Sequence, residues 1–148
     1  MFMKKIILLL SLILMGIGAF SQTVPIDCRL YAKYSEEDLL AIQRTNPADI
    51  EYMNWFVDNA FVIKETNNPE STRFPKLRYL DKETKMAGAE VTEFNPENFN
   101  VMEYSFKISE QTSNVYVVGK TGYLLVFYSG KDLTKLFNEY RRTHNENQ

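Results

Sequence analysis

The sequence predicts an α+β fold with an N-terminal helical hairpin, a four- to five-stranded and mostly antiparallel sheet, and a C-terminal helix packed on that sheet. Three observations support this prediction. Two helix-start signals lie near residues 35 and 46, apolar alternation typical of strands runs from Met102 to Phe127, and a helical apolar stripe follows it. No fixed-period repeat and no Gly/Ser- or Pro-rich linker interrupts the chain, so we expect a single domain over residues 22–142.

The helical hairpin is predicted from two helix starts. Ser35 can cap the first helix with its hydroxyl, and the three acidic residues that follow favour the positive end of the helix dipole. The second helix is expected to begin with Asn46 as its cap and Pro47 in the first helical position. Apolar residues then recur at helical spacing from Ile50 to Ala60.

The middle of the chain predicts short strands. Residues 60–64 are apolar and rich in β-branched side chains, which favours a strand, and residues 76–80 are a second candidate. From 82 to 98 the pattern is weakest, and no strand is assigned there. The clearest alternation begins at Asn100 and predicts a strand through Ile108 with one apolar and one polar face.

A β-hairpin is predicted after that strand. Its arms are residues 114–118 and 123–128, and they flank Gly119 and Gly122, which are available for positive φ. The second arm is apolar on both faces. We therefore expect it at the centre of an antiparallel sheet, with other elements packed over each face.

A final helix is expected to provide part of that cover. Four apolar residues fall at positions i, i+3, i+4 and i+7, namely Leu133, Leu136, Phe137 and Tyr140. Ser129 and Asp132 can cap the start of this helix. The polar residues 143–148 are expected to form a flexible tail.

The N-terminus has the pattern of a cleavable secretory signal, residues 1–21. Two lysines precede an apolar run that ends at Leu14, and small residues precede the expected cut between Ser21 and Gln22. The alternative is a retained membrane anchor, which needs about 20 apolar residues, and this run is shorter. We therefore expect export, with no stable membrane span after cleavage.

Cys28 is the only cysteine in the chain. It follows no small-residue lipobox, so a lipid anchor is not expected. A single cysteine forms no intrachain disulfide, which leaves a buried or idle thiol as the favoured interpretation and pairing with another chain as the alternative. Without residues 1–21, 127 residues remain with 15 basic and 19 acidic side chains, and this formal charge of −4 argues against nucleic acid as a partner.

The side chains that catalysis and metal binding need are scarce. The only histidine, His144, falls in the expected flexible tail, and a structural zinc site needs about four cysteine or histidine ligands. Acidic residues cluster at the helix starts, where the helix dipole accounts for them. The segment from Gly119 to Gly122 joins two strands, so it is interpreted as a hairpin turn and not as a phosphate loop. The sequence thus predicts no enzyme, no catalytic residue, no metal and no cofactor.

The densest aromatic group comprises Tyr31, Tyr34, Tyr52, Trp55 and Phe56. The favoured interpretation is a buried seam between the helical hairpin and the sheet, because rings at helical spacing usually pack in the core. The other interpretation is a partner-binding surface. Trp55 lies off the apolar stripe of its helix and is the best candidate for an exposed anchor, so Trp55, Tyr52 and Tyr34 are the candidate partner-binding residues.

Four segments resemble small exported proteins of unassigned activity from Gram-negative bacteria of the Bacteroidota type. They are the Gly-Ala-Phe-Ser-Gln end of the signal, the Tyr34-to-Leu39 helix start, the Asn46-Pro47 helix through Val57, and the closing hairpin from Thr121 to Tyr128. The resemblance implies a periplasmic or cell-envelope setting and supplies no activity. The lack of a β-rich C-terminal sorting domain favours retention in the periplasm, and an extracellular or outer-membrane-associated location is the alternative.

These features favour a non-catalytic exported module that binds a protein partner in the cell envelope, as an accessory subunit of a secretion or assembly complex. The alternative is a periplasmic protein that binds a small ligand or glycan in a pocket between sheet and helices. The sequence leaves the oligomeric state open.

Overall fold

The computed structural model describes residues 23–68 and 73–145, so the predicted signal and its cleavage site lie outside the described residues. The described chain has the predicted α+β architecture. The helices are α1 (Glu36–Thr45), α2 (Pro47–Asn59) and α3 (Gly130–Asn145), and the strands are β1 (Phe61–Glu65), β2 (Arg78–Leu80), β3 (Ala87–Glu90), β4 (Tyr104–Ser105), β5 (Asn114–Val117) and β6 (Tyr123–Phe127). Short 3₁₀ turns cover Cys28–Ala32, Pro96–Asn98 and Val101–Glu103.

The helical hairpin is confirmed. The Ser35 hydroxyl accepts a hydrogen bond from the Asp38 backbone N–H at 3.1 Å, and Pro47 occupies the first turn of α2. Asn46 occupies the N-cap position of α2, as predicted, but its side chain makes no capping hydrogen bond. The Asn46 N–H also donates to the Ile42 carbonyl at 2.7 Å, and this bond closes the end of α1.

The strands form two small sheets where the sequence predicts one. The first has the order β1-β6-β5 and the second the order β3-β2-β4, and all strand pairs named here are antiparallel. The central position predicted for the second hairpin arm is confirmed, since β6 pairs with β1 on one side and β5 on the other. Leu125 and Phe127 on one face of β6 are fully buried, whereas Leu124 and Val126 on the other face are half-buried. Within the described residues, complete cover is therefore found on one face only.

The long strand predicted from Asn100 is mostly wrong. The Asn100 side chain accepts a hydrogen bond from the Met102 N–H at 3.1 Å and closes a 3₁₀ turn, which competes with the extended backbone. Only Tyr104 and Ser105 pair with β2. Beyond them Phe106 leaves the sheet and stacks on Phe127 with 4.3 Å between ring centroids. The alternation identified which side chains face the core and not how long the strand is.

β3 lies in the stretch for which no strand was assigned. Its sequence, Ala-Gly-Ala-Glu, has low intrinsic strand propensity. A turn anchored by Asp81 brings it onto β2, because the Asp81 carboxylate accepts hydrogen bonds from the N–H groups of Glu83 and Thr84. These bonds also hold the pKa of Asp81 below its usual value. β3 therefore forms because it pairs with β2, and not because its residues have a high intrinsic strand propensity.

The C-terminal helix packs over the core, as predicted. The Ser129 hydroxyl caps α3 by accepting from the Asp132 N–H at 3.1 Å, and Leu133 is buried among the core side chains. The helix continues to Asn145, three residues beyond the expected end of the ordered domain at position 142. The described residues contain no helix that is long and apolar enough to cross a membrane.

Tyr104 is a core residue whose ionisation provides a test of this packing. Burial raises its pKa to about 12, and Tyr79 and Glu103 add to the shift. Tyrosine in an unfolded chain ionises near pH 10. The folded state therefore holds the proton longer, so the free energy of unfolding is unaffected below pH 10 and falls as the pH rises from 10 towards 12.

We expect this loss to be about 1–2 kcal/mol for Tyr104, after allowance for partial solvent screening. Urea unfolding gives the stability lost between pH 8 and pH 11 for the wild type and for Tyr104→Phe. Subtracting the loss of the variant from that of the wild type leaves the contribution of Tyr104, because the other tyrosines contribute to both. If both proteins lose the same stability between the two pH values, Tyr104 is not the residue responsible.

Candidate functional site

Two of the predicted partner-binding residues lie together in a buried aromatic seam. The rings of Tyr52 and Trp55 are 5.8 Å apart, and both contact Phe137 of α3, at 5.0 Å and 5.3 Å. Trp55 is only 6% exposed, so the expectation of an exposed anchor is wrong. The core interpretation is confirmed for Trp55 and Phe56, which are buried, and is wrong for Tyr31, which is 43% exposed. The apolar side of α3, which carries Phe137 and Tyr140, covers the indole. The seam thus lies mainly between α2 and α3.

Tyr34 lies apart from this seam. It is half-buried, and the ring contacts of the described residues do not join it to Tyr52 or Trp55. The Lys33 ammonium lies 5.9 Å from the centre of its ring. Burial raises the pKa of both Tyr34 and Tyr52, as it does for phenols that pack against apolar side chains. Cys28 is exposed, which excludes the interpretation of a buried thiol.

An open depression of about 360 Å³ borders the seam near the end of α2. Trp55, Tyr128 and Tyr140 supply aromatic surface, and Asn59 and Glu139 supply polar groups. Asn59 is held by a hydrogen bond from its side-chain amide to the Trp55 carbonyl, at 2.7 Å. Aromatic faces beside amide and carboxylate groups are suited to a small polar ligand.

A second candidate site arises where the two sheets meet. Residues 75–77 precede β2 and run parallel to the end of β5: the Leu77 N–H donates to the Val117 carbonyl at 2.8 Å, and the Val117 N–H donates to the Pro75 carbonyl at 2.9 Å. The Leu77 carbonyl accepts from the Val91 N–H. β5 and the end of β3 therefore lie along the same edge of the extended segment formed by residues 75–77 and β2. β4 lies on the opposite edge.

Side chains bridge the space between β5 and the residues that follow β4. The Tyr116 hydroxyl accepts from the Lys107 N–H at 3.0 Å, and the Asn114 side-chain amide donates to the Lys107 carbonyl at 2.5 Å. The Asn114 carbonyl oxygen also accepts from the Ser109 hydroxyl at 2.9 Å. Side chains, and not a further strand, therefore connect these two segments, and this leaves an open depression above them.

This depression is one part of a longer groove, which we call the edge groove. One part has a volume of about 370 Å³ and the other about 290 Å³, and the two share Pro75, Lys107 and Tyr116. Phe74 and Phe106 add aromatic surface, and serines and Asn114 add hydrogen-bonding groups. The remaining cations of the groove are Lys76 and Arg78.

The cations of the edge groove differ in how they are engaged. The Lys76 ammonium pairs with Glu90 at 2.9 Å, and an Arg78 nitrogen donates to the Gly88 carbonyl at 2.9 Å. Lys107 is exposed, and its ammonium makes no ion pair with the described part of the chain. Two hydrogen bonds fix the backbone of Lys107, so its side chain projects from a defined position.

Sequence analysis did not identify the groove residues. Lys76, Lys107 and Tyr116 are widely separated in the chain and have no motif spacing. Their proximity depends on the meeting of the two sheets at residues 75–77, which no periodicity predicts. The available signal was Pro75, because a proline immediately before a short strand marks a place where backbone pairing ends.

Across residues 23–68 and 73–145, no group of three or more His, Cys, Asp or Glu side chains could hold a metal ion. No protein-family model, no curated protein and no solved structure matches the chain. Function is therefore inferred from the geometry of the depression beside Trp55 and of the edge groove.

Proposed function

We propose that this protein is a non-catalytic, exported module that binds a protein partner in the cell envelope, as an accessory subunit of a secretion or assembly complex. The edge groove is the observation on which the proposal rests. Two depressions joined end to end, open to solvent and lined by aromatic and basic side chains, suit a length of polypeptide better than a compact metabolite.

The composition of the groove supports a protein partner. Interfaces are enriched in aromatic residues and arginine, and both are present here in Phe74, Phe106, Tyr116 and Arg78. The secretory pattern of the first 21 residues supports an envelope setting for that partner.

Site-specific photocrosslinking tests the proposal. Benzoylphenylalanine at Ser113, an exposed position in the groove, is expected to give a discrete adduct with a partner in envelope preparations. The matched control places the same group at Glu37, an exposed position on α1, and is expected to give none. Recovery of monomer alone from both positions would count decisively against the proposal.

A small-ligand or glycan-binding role is the second candidate, and the depression beside Trp55 favours it. Trp55 is the only tryptophan, so its fluorescence reports directly on this depression. If this role holds, titration with pools of metabolites and glycans shifts the emission, and the shift persists in Lys107→Gln, which alters only the edge groove. A flat response across the pools removes this candidate.

A further inference from the structure

We propose that the edge groove takes an acidic polypeptide segment in extended conformation, which pairs through its backbone with the edge of β5 at Val115. This inference rests on the proposed protein-binding function and specifies the chemistry of the partner. It follows from an unused strand edge, from the position of a proline, and from the charge of the groove.

The unused edge is identified by the hydrogen-bond pattern of β5. The Val118 N–H donates to the Tyr123 carbonyl. The backbone N–H and C=O groups of Val118, and of every second residue before it, are therefore directed towards β6. Val117 and Val115 therefore direct their N–H and C=O groups to the opposite edge. Val117 uses both groups to bond residues 75 and 77, whereas no backbone bond of the described residues uses those of Val115 at this edge.

Pro75 explains why the ladder stops before Val115. In a parallel pair, the next donor to the Val115 carbonyl would be the backbone nitrogen of residue 75. Proline has no N–H and cannot make that bond. The chain bends at residues 73 and 74, and Phe74 and Val115 both line the part of the edge groove beside this interrupted pairing. An extended segment from another molecule fits this position and supplies the missing donor and acceptor.

The charge of the groove selects an acidic segment. Lys107 lines both parts of the groove and has no ion-pair partner among the described residues, and Arg78 uses one nitrogen on a backbone carbonyl and keeps further N–H donors. The Tyr116 hydroxyl accepts from the Lys107 N–H and keeps its own hydrogen to donate. These three groups are donors, and a carboxylate offers only acceptors.

The experiment uses the purified protein and fluorescein-labelled octapeptides in an anisotropy titration. The probe alternates glutamate and valine, and a second peptide with the same label alternates lysine and valine. We expect the glutamate peptide to bind at least about 10-fold more tightly at low salt. Its affinity is expected to fall several-fold when salt rises from about 50 to about 300 mM. Lys107→Gln is expected to weaken it about 3- to 10-fold.

Backbone pairing is tested separately from charge. Val115→Pro removes the edge N–H and is expected to weaken the glutamate peptide about 10-fold. Ile63→Pro is the matched control, because the same alternation places the Ile63 N–H on the outer edge of β1, away from the groove. A glutamate peptide methylated at alternate backbone nitrogens repeats the test with the protein unaltered, so the outcome does not depend on whether either proline variant folds.

Three outcomes would overturn the inference: equal affinity for the two peptides, undiminished binding of the methylated peptide, or preferential binding of a twelve-nucleotide oligothymidylate. If the peptides fail while crosslinking at Ser113 still yields an adduct, the partner is a protein of different chemistry and the proposed function stands. If both experiments fail, the function itself is wrong.

Discussion

Phe127→Ala is expected to lower the free energy of unfolding by about 4 kcal/mol, a large share of the roughly 5–15 kcal/mol that is typical of a folded domain. Phe127 is fully buried at the end of the central strand β6. Its ring stacks on Phe106 at 4.3 Å and meets Tyr116 edge-on at 5.9 Å, so the truncation leaves a cavity bordered by rigid rings. Urea unfolding followed by Trp55 fluorescence measures the loss.

The adjacent residue provides the control. Val126 lies on the opposite face of the same strand and is half-buried, so Val126→Ala removes fewer packed atoms. We expect it to cost about 1 kcal/mol or less. If the two substitutions have equal effects, both faces of β6 contribute equally to the core, which contradicts one-sided packing.

The elements that sequence analysis predicted correctly are those whose signals are local. Ser35 and Ser129 each precede an acidic residue by three positions, and both form the capping hydrogen bonds expected of them. The doubly apolar second arm of the hairpin is central in its sheet, as predicted, although only one of its faces is fully buried. Each of these inferences needs one segment and its own chemistry.

The elements that it missed depend on contacts between segments and not on the pattern of one segment. β3 has poor strand propensity and exists because the Asp81 turn returns the chain to β2. Trp55 is off the stripe that α2 presents to the rest of the core, yet α3 supplies Phe137 to cover it. The periodicity of α2 reports one packed face, and a helix with neighbours on two sides has a second face that a single stripe does not reveal.

The edge groove has the same origin. Lys107 and Tyr116 each look ordinary in sequence, one as a polar and the other as an apolar member of an alternating pattern. They become neighbours because residues 75–77 bring the second sheet against β5, and because Pro75 then ends that pairing one step early. The groove forms where backbone hydrogen bonding between residues 75–77 and β5 stops, so it depends on both segments. Sequence reasoning that assigns one strand at a time does not reach it.

Gly119→Ala is expected to cost about 3 kcal/mol, the second largest effect among these substitutions. Gly119 has φ of +52°, and a Cβ added there would overlap the Val91 carbonyl oxygen. Val91 has little freedom to withdraw, because its N–H donates to the Leu77 carbonyl while the Leu77 N–H donates to Val117. The hairpin turn passes the end of β3 at a distance that only glycine permits, so the added methyl strains the junction between the two sheets.

Gly122→Ala separates the cost of the positive-φ backbone conformation from the cost of the overlap with Val91. Gly122 also has positive φ, at +81°, but the nearest atom to its added Cβ is the Thr66 carbonyl oxygen at 3.8 Å, an ordinary contact. We expect about 1–2 kcal/mol, from the backbone conformation alone. Urea unfolding of both variants gives the difference, which measures how tightly the sheets are joined at Val91. Equal losses would mean that the Val91 carbonyl yields without cost, and the junction that forms the edge groove would then be looser than its hydrogen bonds indicate.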